Sequence, residues 1–188
     1  HLQPTATAAL TATLERLDSA AADRTPRLGR ILVADDSPEN LEIITRRLQR
    51  DGHTILAATN GREVLAQLGR QPVDLLLLDI MMPELNGYEV LNALQADEKW
   101  RNLPVICLSA LDDEASSLRA IERGAQDFLP KPCDPLLLRA RISASLEIKQ
   151  RRDQEQAYMR AVAELTAAAA AFETGQFSPP DLDPLAQR

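Results

Sequence analysis

Aromatic residues are scarce in this chain. They make up 3% of its 188 residues, so any core must be built from Leu, Ile, Val and Ala, for which a hydrophobic share of 45% is ample. Cysteine is almost absent. Cys107 and Cys133 lack metal-ligand spacing, which argues against a structural zinc site, and two lone thiols fit a reducing, cytoplasmic compartment. Long apolar runs are missing as well. The stretch from Val73 to Leu78 contains Asp74 and is far too short to span a bilayer, and the N-terminus lacks the basic and apolar regions of a signal peptide. Positive charge is in deficit. With 21 Lys and Arg against 28 Asp and Glu the net charge is -7, which argues against broad attraction to nucleic acid or to an anionic membrane. Lys149, Arg151 and Arg152 form the one basic cluster, and Asp153 and Glu155 follow so closely that a solvated helix face is the expected reading.

What is present is a regular alternation. Residues 1–28 are rich in Ala and Thr, with Leu10, Leu14 and Leu17 at helical spacing, which predicts a helix at about 6–22 stopped by Pro26 and followed by a linker. From Arg30 the pattern changes. Ile31 to Ala34 reads as a buried parallel strand ending in Asp35-Asp36. Ser37-Pro38-Glu39 then supplies an N-cap, a first-turn proline and an acidic first turn for a helix that runs to Gly52. Further strands are expected at Thr54 to Ala58, Val73 to Leu78, Val105 to Leu108 and Gln126 to Leu129. Between them helices are expected from Asn60-Gly61 onward, over Asn86 to Ala96, and over Asp113 to Arg123 with Gly124 closing; Asp134 caps a last one. Five strand–helix units with short connections predict an α/β fold, a doubly wound, flavodoxin-like (βα)5 parallel sheet of five strands. Such sheets carry their reactive groups at the carboxyl ends of the strands. Polar residues do fall there: Asp35 and Asp36 after the first strand, Asp79 after the third, Ser109 after the fourth and Lys131 after the fifth.

These residue types suggest a chemistry. Carboxylates from two strand ends would converge, and like charges so close need a neutralising cation. A few carboxylate oxygens suit Mg²⁺, which keeps several waters and completes its shell with phosphate. A carboxylate beside such an ion can attack phosphorus and form an acyl phosphate. The Lys131 ammonium and the Ser109 hydroxyl are then placed to stabilise the outer oxygens of the phosphoryl group.

The chain resembles the receiver domain of bacterial two-component response regulators. The matching pieces are Val33-Ala34-Asp35-Asp36, Leu78-Asp79-Ile80-Met81-Met82-Pro83, Leu85-Asn86-Gly87-Tyr88-Glu89, Leu108-Ser109-Ala110 and Lys131-Pro132, within about residues 29–148. Each is weak alone; in this order and spacing they are specific. The resemblance implies that Asp79 accepts a phosphoryl group from a histidine kinase or phosphotransfer protein. It implies that Asp35, Asp36, Asp79 and the Met81 backbone carbonyl hold Mg²⁺, that Lys131 pairs with the phosphoryl group, and that the Lys131-Pro132 bond is cis. Ser109 and Phe128 fall at the family's switch positions; for Phe128 a plain core aromatic is the alternative, and it lacks the hydroxyl of a Tyr. Cys107 reads as a buried strand residue.

A typical receiver would end near Leu146. Here neither Pro nor Gly occurs from Leu136 through Thr174, so the fifth helix is expected to run on until Gly175. Tyr158, Val162, Leu165, Ala169 and Phe172 are spaced four, three, four, three, a heptad seam suited to pairing with a second copy. The expected organisation is therefore an N-terminal helix and linker at 1–28, a receiver at 29–148, a helical signalling linker at 149–174 and a Pro-rich linker at 175–188. No output domain is visible, and His1 in place of Met fits a piece of a larger regulator whose effector could be a nucleotide cyclase, a histidine kinase or a phosphatase. A stand-alone phosphorylation-dependent binding module is the competing reading. An enzyme using an aspartyl phosphate generally wants a second acid two residues after the nucleophile, where this chain has Met81, so the chain is not expected to be an enzyme beyond its own phosphoryl transfer and hydrolysis.

Overall fold

The structure, a computed structural model, describes residues 28–109 and 114–173, the side chains of 114, 165 and 167–173 excepted. Its elements alternate along the chain: β1 (Arg30–Ala34), α1 (Pro38–Arg50), β2 (Thr54–Ala58), α2 (Gly61–Arg70), β3 (Leu75–Asp79), α3 (Gly87–Ala96), β4 (Val105–Ser109), α4 (Glu114–Glu122), β5 (Asp127–Pro130) and α5 (Pro135–Glu173). The five strands form one parallel sheet in the order β2-β1-β3-β4-β5, the flavodoxin-like arrangement the alternation predicts. The helix expected at 6–22, the stop at Gly175 and the Pro-rich segment lie outside the described residues.

Alternation of side chains across the strands makes two cores. Leu32, Ala34, Leu76, Leu78 and Cys107 face α2, α3 and α4, meeting Val64, Leu68, Val90, Leu91, Leu94 and Ala120. Ile31, Val33, Leu75, Leu77, Ile106 and Leu108 face the other way, against Leu41 and Leu48 of α1 and Leu138, Ile142 and Leu146 of α5. Each such Leu or Ile, removed from water, contributes about 2 kcal/mol. All of β3 is buried, as is all of β4, so the strand bearing Asp79 is covered on both faces.

The local signals act as expected at the helix starts. The Ser37 side chain accepts the Asn40 N–H at the head of α1, and Asn86 with Glu89 forms a reciprocal capping box on α3. The Asp134 carboxylate accepts the N–H groups of Leu136 and Leu137 at the head of α5. Gly124, at φ 92°, closes the turn after α4 in a conformation that favours glycine. Strand ends shift slightly. β3 starts at Leu75 rather than Val73, and Asp79 and Ser109 are the last residues of their strands rather than the first beyond them. Asp74, just before β3, is instead tied to Arg30: its N–H donates to the Arg30 carbonyl at 2.8 Å, and its carboxylate accepts the Arg30 N–H at 2.8 Å.

α5 is 39 residues long, about 58 Å at 1.5 Å per residue. Up to Leu146 it is packed on the sheet; beyond, Ile148, Tyr158, Met159 and Val162 are exposed. The expectation of a wholly solvated basic face at its middle needs correction. Arg151 is solvated and pairs with Glu147, but Lys149 is only 19% exposed, held by Asp74 and Asp153, and Arg152 donates to the Asn102 carbonyl. Positions 149 and 152 turn toward the body whereas 151 turns away, which a count of charges along the chain does not separate. Among the described residues, no helix is long and apolar enough to cross a membrane.

Candidate functional site

The chain order of the strands reverses between β1 and β3, and their carboxyl ends carry Asp35 and Asp79. Asp35 is almost wholly buried. Its Oδ1 accepts the Ser37 N–H at 3.0 Å and the Asn40 side-chain amide at 3.2 Å, which leaves Oδ2 turned to Lys131. Asp79 is equally buried, and its Oδ1 accepts the Met81 N–H at 3.1 Å. The Lys131 ammonium lies 2.6 Å from Oδ2 of both aspartates. It reaches them from just beyond β5, where the Lys131 N–H donates to the Ser109 carbonyl at 2.7 Å and the bond to Pro132 is cis. Asp36 is exposed and completes a group of three carboxylates whose oxygens lie within 4.8 Å of one another.

One ammonium therefore serves two buried carboxylates and a third nearby. Burial pushes the Asp79 carboxyl above its usual range, the Asp35 charge adds to that, and Lys131 with the Met81 N–H offsets it only in part. For Lys131, burial alone would lower the pKa, but its hydrogen bonds to Asp35 and Asp79 outweigh it and raise it, so it stays an ammonium at neutral pH. Lys131 gains from two anions, while Asp79 has only a share of one cation.

The donor set fits a small hard cation. Oxygens on opposite sides of a Mg²⁺ lie about 4.2 Å apart, comparable with the spread of the three carboxylates, and the exposed Asp36 leaves a wet side for the waters this ion retains. Met81 follows the site in chain order; its N–H is engaged by Asp79 and its side chain is exposed. Ser109 is fully buried at the end of β4, where Leu108 is in register with Asp79. Phe128 lies on β5 in register with Cys107, and its half-buried ring packs on the core facing α2, α3 and α4. Cys107 packs there too; burial and the Asp79 charge push its thiol up to about 12, which leaves it inert.

The sequence reading gave no role to two residues at the site, Asn40 and Gly87, although Gly87 lies within one of the matching motifs. Asn40 orients Asp35 from the first turn of α1, and its only signal was a short amide on the helix that follows the acidic pair. Gly87 brings the start of α3 onto the end of β3. A Cβ there would sit 2.5 Å from the Asp79 carbonyl oxygen and 2.7 Å from Ile80 Cα, closer than packed atoms tolerate. Its N–H donates to the Ile80 carbonyl at 2.9 Å.

Residues 31–143 match the response regulator receiver domain, and the chain belongs to that family. Response regulator PleD of Caulobacter vibrioides is 36% identical over 120 residues, a match covering 64% of this chain and 26% of PleD. The chain thus spans about a quarter of that relative's length. Protein PilH of Pseudomonas aeruginosa is 36% identical over 119 residues, which is 63% of this chain and 98% of PilH. The solved receiver domain of the Francisella response regulator 1452 superposes with a TM-score of 0.60 at 30% identity, covering 63% of this chain and 97% of that one.

Proposed function

We propose that Asp79 of this two-component receiver accepts a phosphoryl group from the phosphohistidine of a histidine kinase or phosphotransfer protein. The observation that carries this is the Lys131 ammonium at 2.6 Å from both Asp35 and Asp79, with Asp36 beside them at the open carboxyl edge of the sheet. An Asp79 oxygen attacks phosphorus, the phosphorus–nitrogen bond breaks and the imidazole keeps the electron pair. Lys131, already charged and held by the Ser109 carbonyl, neutralises the outer oxygens of the transferred group, and the Met81 N–H holds the other Asp79 oxygen in place. Mg²⁺, held by Asp35, Asp36, Asp79 and the Met81 carbonyl, would supply the remaining charge neutralisation. The chain itself is then a self-phosphorylating receiver rather than an enzyme acting on other substrates.

The new charge draws the Ser109 hydroxyl toward the phosphoryl group, Phe128 turns into the vacated space, and the face made by α4, β5 and α5 changes shape. The change leaves through α5 to an effector domain outside this chain. In this organisation 29–148 is the cytoplasmic receiver and α5 from 149 onward is its signalling helix. Tyr158 and Val162, exposed along a lone helix and continued by Leu165, Ala169 and Phe172, support pairing with a second copy. The 98% coverage of PilH favours a second reading, a stand-alone module that binds a partner when phosphorylated.

Light scattering with Mg²⁺, with and without beryllofluoride, on wild type and Asp79→Asn tests both parts. A mass change in wild type alone supports the site and a phosphorylation-controlled dimer. A dimer in every sample means constitutive pairing, and a monomer throughout removes the pairing helix and favours the stand-alone module.

A further inference from the structure

The end of the sheet opposite the carboxylates carries the reverse charge. A cleft of about 680 Å³ opens there between the body and the part of α5 beyond Leu146. The body wall is the end of α2 with the segment entering β3, together with the loop entering β4. Cations line both walls: Arg70 and Lys99 on the body, Lys149, Arg152 and Arg160 on the helix. Against these five stand two acids, Glu98 and Asp153. Asp153 is already engaged by Lys149, which also reaches Asp74 at 3.5 Å, and Arg152 is spent on the Asn102 carbonyl. Arg70, Lys99 and Arg160 have no carboxylate partner among the described residues.

Like charges on facing walls repel, and an anion between them removes that repulsion. In a chain of net charge -7 such a surplus is local, and it coincides with a concave space large enough for a small molecule. The cleft also holds Trp100, the single tryptophan of the chain, half-buried and with the Lys99 ammonium 5.5 Å from its ring centroid. A ring flanked by cations suits a ligand that joins phosphate groups to a planar base.

We propose that this cleft binds a small polyphosphate anion, with the phosphate chain between Lys99 and Arg70 on one side and Arg160 on the other, and with Trp100 open to stacking by an attached base. The ligand would tie α5 to the body. This site shares no residue with the Asp79 cluster, so either reading can fail alone.

Trp100 is a built-in reporter. The full chain is titrated in EDTA with inorganic tripolyphosphate and, separately, with adenosine triphosphate, following Trp100 emission and confirming by calorimetry. Saturable binding of both at equal affinity supports the site and assigns recognition to the phosphate chain; tighter binding of the nucleotide supports it and adds the base. Lys99→Ala with Arg160→Ala, both exposed, should weaken binding about ten-fold or more and leave Mg²⁺ binding at the Asp79 cluster unchanged. Bound ligand should also slow amide exchange over residues 149–160. No saturable change with either anion at millimolar concentration overturns the proposal. Binding that survives the double substitution overturns it too, since the anion then sits elsewhere.

Discussion

Asp74 and Asp79 stand five positions apart at the two ends of one buried strand, and the same side chain does different work at each. Asp74 is partly open to water. It accepts an N–H from β1 and a salt bridge from α5, so its charge is matched where it stands. Asp79 is buried, shares a single ammonium with Asp35, and has its carboxyl raised in consequence. The difference teaches that the receiver leaves a buried carboxylate under-compensated at the carboxyl edge of the sheet, whereas the carboxylate at the other end of the same strand is matched. There the imbalance favours a cation; at Asp74 the charge fastens α5 through Lys149.

Exchanging the two aspartates tests this contrast most severely. Asp79→Asn should reduce acyl-phosphate labelling by a small-molecule phosphodonor to background, while Asp74→Asn should label as wild type does. Equal loss in both would show that Asp79 is not the acceptor. Next in size, Lys131→Ala leaves the buried carboxylates without their cation. Unfolding in EDTA should reveal a loss of about 2 kcal/mol, much of it restored by millimolar Mg²⁺; a loss that Mg²⁺ does not touch would mean that the acids do not form its site. Gly87→Ala forces a Cβ against the Asp79 carbonyl, and about 2 kcal/mol of stability should go with it, together with labelling at Asp79.

Smaller effects should differ in sign between the two ends. In EDTA, Asp79→Asn removes a buried charge that Lys131 offsets only in part and should stabilise the fold by about 1 kcal/mol. Asp74→Asn removes a partly exposed pair with Lys149 and should destabilise it by about 0.5 kcal/mol. The stabilisation by Asp79→Asn should also depend on pH in a defined direction. A carboxyl whose folded pKa lies above its ordinary value of 3.8 costs the fold stability while ionised, and that cost disappears as pH falls through the raised value toward 3.8. The gap between variant and wild type should therefore be full at neutral pH and close in acid. A gap that widened in acid would reverse the assignment.

Much of the molecule was legible in the sequence because its rules are local. Apolar runs bounded by helix caps marked the five strands, and the strand-end rule brought Asp35, Asp36, Asp79, Ser109 and Lys131 to one edge before any coordinate was known. What could not be read depends on direction rather than order. Asn40 reaches Asp35 only because the first turn of α1 points its amide backward. The cleft at the base draws on Arg70, Lys99 and Arg160, spread over ninety positions of the chain, and no local pattern joins them. The split of the basic cluster, with Lys149 and Arg152 against the body and Arg151 in water, follows from the helical turn and from where the body ends.

α5 passes from the sheet into its extension without a break. The 27 residues from 147 to 173 form an arm of about 40 Å that contains neither Pro nor Gly. Such an arm is a lever. Among the described residues its last ties to the body are at Lys149 and Arg152, and a tilt of about 5° beyond them moves the far end, about 31 Å away, by about 2.7 Å. A domain attached there would receive any change in the angle of α5 amplified by length.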